Sequence, residues 1–113
     1  MKKVEAIIRP SKLHDVQEEL SNQGIPCITV VPVKGSGLQK SYSERYRGAE
    51  QTMILQTRIM IICVVSEENL EKCVQVIQDK AGTDSVGDGK IFVYNVEDAI
   101  RISTKIRGED AIK

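Results

Sequence analysis

Several functional classes are excluded by the features that this sequence of 113 residues lacks. It has no excess of charge, because 16 lysines and arginines balance 16 aspartates and glutamates, whereas a domain that binds nucleic acid through its overall charge is basic. Aromatic residues make up only 4% of the chain. The apolar segment 57–65 contains none of them, which excludes a sheet that stacks RNA bases on aromatic side chains. No apolar run approaches the roughly 18 residues of a membrane span, so we expect no direct membrane insertion.

Histidine and cysteine, which often serve catalysis and metal binding, are also scarce. His14 is the only histidine and falls on the polar side of a predicted helix, so no Ser–His–Asp set can be built around it. We therefore expect no enzyme. The cysteines, Cys27, Cys63 and Cys73, lack metal-ligand spacing, and we interpret them as small core residues in a reducing compartment. The start of the chain lacks the features of a signal peptide, which predicts a cytoplasmic protein.

The residues that are present predict alternating strands and helices. Apolar segments predict strands at 2–9, 25–33, 57–65 and 91–96. Helices are predicted after Pro10, where apolar side chains recur at spacings of three and four, and after Ser66, a candidate N-cap. Gly24 is the predicted stop of the first helix. This order predicts a single α+β domain over 1–113, with the ferredoxin-like βαββαβ arrangement and both helices on one face of an antiparallel sheet.

The predicted sheet is apolar on both faces, although its helices cover only one. Segment 57–65 places Ile61 and Cys63 on one face and Met60 and Ile62 on the other. A face that met water would be polar, so the second face must be buried. We infer an oligomer that packs through its sheets, and the alternative is that the tail, residues 97–113, folds over this face.

Two loops are candidate functional segments. The long stretch 34–56 exceeds the usual length of a loop in a compact domain. It is either a protein-binding arm or a surface loop without a task. Tyrosine and arginine supply many interface hot spots, and the candidate contact residues of the arm are Lys40, Tyr42, Arg45, Tyr46 and Arg47.

The second loop, 82–90, has three glycines and ends in Lys90. Such a segment can direct backbone N–H groups at an anion, although a plain turn is the simpler interpretation. It is not a P-loop, because Asp88 stands where the lysine belongs and a strand rather than a helix follows. If this loop, the Gly35-Ser36-Gly37 turn and Arg101 converge, they form a polyphosphate site, which fits a cleft between subunits.

Four segments in this order make the sequence resemble the PII nitrogen-regulatory signal-transduction proteins. They are Ala6-Ile7-Ile8-Arg9-Pro10, then Val33-Lys34-Gly35 with Gly37 and Gln39-Lys40, then Tyr46-Arg47-Gly48-Ala49-Glu50, and finally Gly87-Asp88-Gly89-Lys90-Ile91-Phe92-Val93. The resemblance spans residues 1 to about 107. It implies a ferredoxin-like homotrimer whose sheets face inward, with ATP or ADP in the clefts between subunits.

The resemblance also assigns roles to residues. Lys90 and Arg101 would hold phosphates, and 34–56 would be the arm that docks on a target. Gln39 would help to hold a magnesium ion that bridges ATP and 2-oxoglutarate, and Arg58 would stand where a lysine usually pairs with that acid. The implied nucleotide-binding set is Ile7, Thr29, Gly35, Gly37, Val64, Gly87, Asp88, Gly89, Lys90 and Arg101.

The sequence departs from the family's pattern at functional positions. Gln51 stands at the position of the modifiable tyrosine and Ala49 at that of the phosphorylated serine, so neither covalent switch can operate there. Leu38 replaces an arginine before the loop glutamine, and Ser103 replaces the second phosphate-binding arginine. Loss of a charged contact costs roughly 1.5–3 kcal/mol. If the missing contact falls on the outer phosphates, this loss lowers the affinity for ATP relative to ADP.

These observations predict a non-enzymatic sensor of ATP and ADP. Its expected target is a membrane transporter, either the ammonium channel that is the family default or another importer such as a polyamine transporter, or else a metabolic enzyme. Nucleic acid is not an expected partner. Two alternatives stay open, namely a conventional 2-oxoglutarate-sensing nitrogen regulator and a structural oligomer that binds no nucleotide.

Overall fold

A computed structural model describes residues 1–37 and 55–113 of the chain. Its strands are β1 (Lys2–Ile8), β2 (Thr29–Gly35), β3 (Gln56–Val65) and β4 (Lys90–Asn95), and its α-helices are α1 (Leu13–Asn22) and α2 (Glu67–Ala81). Short 3-10 turns cover Pro10–Lys12 and Gly108–Ile112. All strand pairs are antiparallel, in the sheet order β2-β3-β1-β4. The predicted ferredoxin-like α+β arrangement is confirmed.

The core lies between the two helices and one face of the sheet. Alternate residues of β1 and β3, among them Val4, Ala6 and Ile61, are fully buried, because successive strand residues point to opposite faces. The helices cover them with their buried stripes, which include Leu20 and Ile77. The predicted helical periodicity therefore marks the side of each helix that meets the sheet.

The face of the sheet opposite the helices, called here the open face, carries apolar side chains from β2, β3 and β4, whereas β1 places the ion-paired Lys3 and Glu5 there. The strand registers place Val31, Met60, Ile62 and Phe92 on this face. Phe92 is 45% exposed and its neighbour Tyr94 is 46% exposed. The tail, 97–113, therefore leaves the β4 side of the open face uncovered. The exposure of this part of the surface disagrees with the alternative that the tail folds over the second face and buries it.

Several predicted boundaries and roles need correction. The second strand, expected at 25–33, runs from Thr29 to Gly35. Pairing with β3 begins only at Thr29 and Ile62, and Ile25 packs in the core cluster instead of joining the ladder. The expectation that all three cysteines lie in the core is wrong for Cys27, which is exposed in the segment that precedes β2. Ser66 occupies the N-cap position of α2, but its hydroxyl makes no capping hydrogen bond.

Two further predictions about the first helix are confirmed. Gly24 follows α1 with a φ of +84°, a conformation that glycine adopts without strain, and the Ile25 amide returns to the Leu20 carbonyl oxygen at 2.8 Å. His14 lies on the solvent side of α1, 82% exposed, beside Glu18 at 3.3 Å. In residues 1–37 and 55–113, none of the helices has the length and apolarity needed to cross a bilayer.

Candidate functional site

The glycine-rich loop, residues 82–90, joins α2 to β4 and is fastened by Arg9, which follows β1. The Arg9 guanidinium forms an ion pair with Asp88, with 2.5 Å between Nη1 and Oδ1, and donates to the Thr83 hydroxyl at 2.8 Å. Its Nη2 donates to the Val86 carbonyl oxygen at 3.0 Å. Arg9 therefore binds the loop at three points and holds it against the end of β1.

Asp88 is the acceptor at the centre of this loop. The Thr83 hydroxyl and amide both donate to its carboxylate, the amide at 2.7 Å, and the Ser85 amide approaches at 3.4 Å. The Thr83 hydroxyl lowers the pKa of Asp88 most, its amide follows, and the Ser85 amide and the Arg9 charge act in the same direction. Against a smaller opposing effect of desolvation, these donors lower the pKa of Asp88 to about 2.

The loop should keep its structure until the solution is strongly acidic. Because the folded-state pKa of Asp88 is depressed from 3.8 to about 2, the stabilisation is complete above pH 3.8 and is lost as the pH falls through about 2. We expect the Thr83 amide chemical shift to titrate with a midpoint near 2. An Asp88→Asn variant should show no such transition, and a midpoint near 4 in the unmodified chain would contradict the account.

Gly89 brings the loop into direct contact with β1. Its φ is +105°, and a Cβ built there would lie 1.7 Å from the Ile7 carbonyl oxygen. Lys90 follows as the first residue of β4 and pairs with Ile7 in the β1–β4 register. Within the described ranges of the chain, no carboxylate forms an ion pair with Lys90. The Lys90 charge is therefore available to a ligand. The neighbouring backbone at Gly89 lies close enough to contact the same ligand.

A cavity of about 440 Å³ adjoins the glycine-rich loop. Its volume lies in the range of small-molecule sites. One wall is apolar and comes from α2 and β1, and the other comes from the loop and β4. The lining residues include Ile7, Val74, Ile77, Gly82, Asp88, Gly89 and Lys90. We call the sequence-derived candidates gathered here the loop group, which consists of Ile7, Gly87, Asp88, Gly89 and Lys90.

A second cavity, of about 330 Å³, lies at the far end of β3. Val64 lines it, together with Cys27 from the segment before β2 and Lys113 from the tail. Arg101 reaches the same tail segment, because its Nη2 donates to the Lys113 carbonyl oxygen at 2.6 Å. We call the candidates on this side of the fold the tail group, which consists of Thr29, Val64 and Arg101.

The two groups do not converge within one chain. Thr29 lies on β2 and Lys90 on β4, which are the opposite edges of the sheet and are separated by three strand spacings, roughly 14 Å. The two groups also lie toward opposite ends of the strands, since Lys90 pairs with Ile7 at one end of β1 whereas Val64 pairs with Lys3 at the other. A single phosphate chain cannot contact both groups of the same copy.

The remaining candidates lie near the start of the long loop. Gly35 is the last residue of β2, and Gly37 lies two residues beyond it. Arg58 pairs with Val33 across β2 and β3, and its guanidinium donates to the Thr57 carbonyl oxygen at 2.9 Å and to the Gln56 side chain at 2.5 Å. Two sets of candidates lie outside the described residues, namely Gln39 and the arm contacts Lys40, Tyr42, Arg45, Tyr46 and Arg47.

Arg9 is the residue that sequence reasoning missed. It appeared there only within Ala6-Ile7-Ile8-Arg9-Pro10, one of the segments that carry the family resemblance. Its partners lie 74 to 79 positions away, and no local spacing signals such a contact. Asp88 remains a candidate for the nucleotide site, and its carboxylate contacts Arg9, Thr83 and Ser85 in the structure.

The sheet order, the two helices on one face and the glycine-rich loop at the sheet end define a ferredoxin-like α+β protein. The family model described as nitrogen regulatory protein P-II matches residues 1–106. The chain therefore belongs to the P-II nitrogen regulatory protein family.

Similar proteins support this assignment over nearly the full length of the chain. The nitrogen regulatory protein P-II of Pasteurella multocida (strain Pm70) is 49% identical over 112 residues, which cover 99% of this chain and 100% of the relative. The Haemophilus influenzae protein of the same name is 48% identical with the same coverage. The crystal structure of Arabidopsis thaliana PII bound to citrate superposes with a TM-score of 0.81 at 34% identity, covering 99% of this chain and 89% of that one.

Proposed function

We propose that this chain is a regulatory protein that binds ATP or ADP in clefts between subunits and acts on a target through the arm, 34–56. The observation that carries the proposal is the separation of the loop group from the tail group. A nucleotide that contacts both must lie between two copies, where the β4 edge of one chain faces the β2–β3 side of the next. Such sites are complete only in an oligomer.

The open face supplies a reason for the oligomer. Phe92 and Tyr94 are each close to half exposed on the open face, which also carries the apolar Met60. Glu5, in an ion pair with Lys3, lies on the same face between Ile62 and Phe92. Burial of this surface against other copies stabilises an assembly by about 25 cal/mol for each Å² of apolar area. We infer a homotrimer whose sheets face inward, in agreement with the family resemblance.

The loop group has the chemistry of a phosphate site. Lys90 supplies a positive charge, and the neighbouring glycines leave the backbone open to close approach. Arg101 of a neighbouring copy would add a second charge, whereas Ser103 cannot. With one charged contact fewer on the phosphates, the discrimination between ATP and ADP is expected to shift toward ADP.

The choice between a sensor of energy state and a sensor of nitrogen depends on Arg58. A lysine carries its charge on a mobile ammonium, whereas a guanidinium is a planar fork that binds carboxylates in a fixed geometry. The Arg58 fork already donates to Thr57 and Gln56. We therefore propose nucleotide sensing without a strong response to 2-oxoglutarate, and conventional sensing of 2-oxoglutarate with magnesium at Gln39 is the second candidate.

Calorimetric titration distinguishes the candidates. ATP and ADP are titrated into the unmodified protein, each with and without Mg²⁺ and 2-oxoglutarate. We expect saturable binding of both nucleotides and less than a threefold change in affinity when 2-oxoglutarate is added. A tenfold increase in ATP affinity, worth 1.4 kcal/mol, would favour the nitrogen sensor. Absence of nucleotide binding would favour the structural oligomer and contradict the proposal.

The target is defined only by its class. A nucleotide shifts the conformation of the arm only to the extent that it binds more tightly when the arm is in one conformation than in another. We propose a cytoplasmic regulator of a transporter, either an ammonium channel or an importer such as a polyamine transporter, or of a metabolic enzyme. His14, which is exposed on α1 beside Glu18, gives no support to catalysis.

A further inference from the structure

Two buried thiols meet between the sheet and the second helix. Cys63 lies on β3 and Cys73 on α2, and their Sγ atoms are 3.4 Å apart. Cys63 is 3% exposed and Cys73 is fully buried. The third cysteine, Cys27, is exposed and belongs to a different part of the fold. Neither buried thiol belongs to the loop group or the tail group.

The side chains of Cys63 and Cys73 point toward each other because both lie in the interface between the sheet and α2. Cys63 belongs to the row of β3 that faces the helices, between Ile61 and Val65, and Cys73 belongs to the buried stripe of α2 with Ile77. Because the elements are packed on each other, the sulfur atoms are in van der Waals contact. To reach the S–S length of a disulfide, they must approach by roughly 1.4 Å more.

Because of this contact the two thiols differ in chemistry: Cys63 is the nucleophile and Cys73 is the proton donor. A hydrogen bond from Cys73 lowers the pKa of Cys63, against an opposing effect of burial. The same hydrogen bond, burial and the neighbouring Cys63 charge all raise the pKa of Cys73. The first proton therefore leaves Cys63, and thiolate is the form that reacts with oxidants.

We propose that Cys63 and Cys73 are an oxidation site that closes into an intramolecular disulfide in the presence of hydrogen peroxide. The Cys63 thiolate attacks one peroxide oxygen, the O–O bond breaks, and protonation of the leaving hydroxide gives water and a sulfenic acid on Cys63. The Cys73 sulfur then attacks the Cys63 sulfur, and the sulfenic oxygen leaves with the Cys73 proton as a second water. In total, two thiols lose two electrons to one peroxide.

The bond would join the sheet to the helix that leads into the glycine-rich loop. Val74, next to Cys73, lines the cavity of the loop group, and Val64, next to Cys63, lines the second cavity. A peroxide molecule is small enough to reach the pair when α2 opens locally from β3. The covalent link then prevents that opening and stabilises the contact against heat.

The experiment uses the full chain with Cys27→Ser, which removes the exposed thiol and keeps both buried ones. The protein is treated with a small excess of hydrogen peroxide, unfolded, alkylated with N-ethylmaleimide and weighed by mass spectrometry. We expect no alkylated cysteine, a mass lower by two hydrogens, and return of both thiols after dithiothreitol. The oxidised form should unfold roughly 5–10 °C higher than the reduced form.

Matched variants make the outcome decisive. In Cys27→Ser with Cys73→Ser, the proposal predicts a Cys63 sulfenic acid that dimedone captures. In Cys27→Ser with Cys63→Ser, burial still raises the pKa of Cys73, and the proposal predicts that Cys73 reacts with peroxide more slowly than Cys63 does in the other variant. Full alkylation of both cysteines after peroxide treatment of the Cys27→Ser protein, or a disulfide between chains instead of within one, would overturn the proposal. A lower unfolding temperature after oxidation would contradict the predicted stabilisation, because it would show that the bond strains the packing of α2 on β3.

Discussion

Substitution of Gly89 by alanine is expected to destabilise the fold by roughly 3–5 kcal/mol. The added Cβ would lie 1.7 Å from the carbonyl oxygen of Ile7 and 2.8 Å from its carbonyl carbon. These atoms belong to β1, which pairs with both β3 and β4, so they cannot move aside without loss of strand pairing. The φ of +105° adds strain for any side chain. Urea unfolding of the variant and of the unmodified protein measures the difference.

Two other glycines serve as controls. They distinguish the steric clash of an added Cβ from the strain that a positive φ imposes on a side chain. Gly24 has a φ of +84° but open space where a Cβ would be added, so Gly24→Ala should cost only about 1 kcal/mol. Gly35 has open space and an ordinary φ, so Gly35→Ala should change stability by less than about 0.5 kcal/mol. If Gly89→Ala were as stable as Gly35→Ala, the close packing of the glycine-rich loop on β1 would be wrong.

Substitution of Lys90 by alanine is expected to weaken ADP and ATP binding by roughly 10- to 100-fold while the fold stays intact. A charged contact to phosphate is worth about 1.5–3 kcal/mol, which corresponds to this loss of affinity. The exposed position of Lys90 at the start of β4 means that truncation leaves no cavity. Calorimetric titration gives the affinity, and urea unfolding shows that stability is retained.

A matched control removes the same charge elsewhere. Lys72 is exposed on α2 and lines a shallow groove between the two helices, away from the glycine-rich loop. Lys72→Ala should leave nucleotide affinity within about twofold of the unmodified protein. Equal losses in the two variants would mean that Lys90 acts through the general field of the protein rather than by contact, and no loss in either would remove it from the site.

The sequence predicts the fold better than it predicts the site. Helical spacing in α1 and α2 and the apolar runs of β1 and β3 follow from burial on one side of each element, and all four elements formed where this pattern placed them. The start of β2 was misjudged because the apolar residues Ile25, Cys27 and Ile28 extend the pattern of the strand toward the N-terminus, whereas the ladder begins only at Thr29. Local pattern does not reveal where a partner strand begins to pair.

The candidate site depended on information that no short segment contains. The clamp of Arg9 on Asp88 joins residues 79 positions apart and follows only from the sheet order. The same order separates Lys90 from Thr29, which the separate motifs do not predict. The left-handed conformation of Gly89 is also set by the approach of a distant strand rather than by its neighbours in the sequence.

The central claim is that one chain supplies the loop group and another the tail group of each nucleotide site. Mixed oligomers of Lys90→Ala and Arg101→Ala chains test this claim most directly. Each variant alone should bind ADP weakly, since every site lacks one charge. After the chains are unfolded together and reassembled, about a quarter of the sites should combine an intact loop group with an intact tail group. Calorimetry should then show tight binding at that fraction of sites. If mixing restores no tight site, both groups act within one chain and the proposed cleft is wrong.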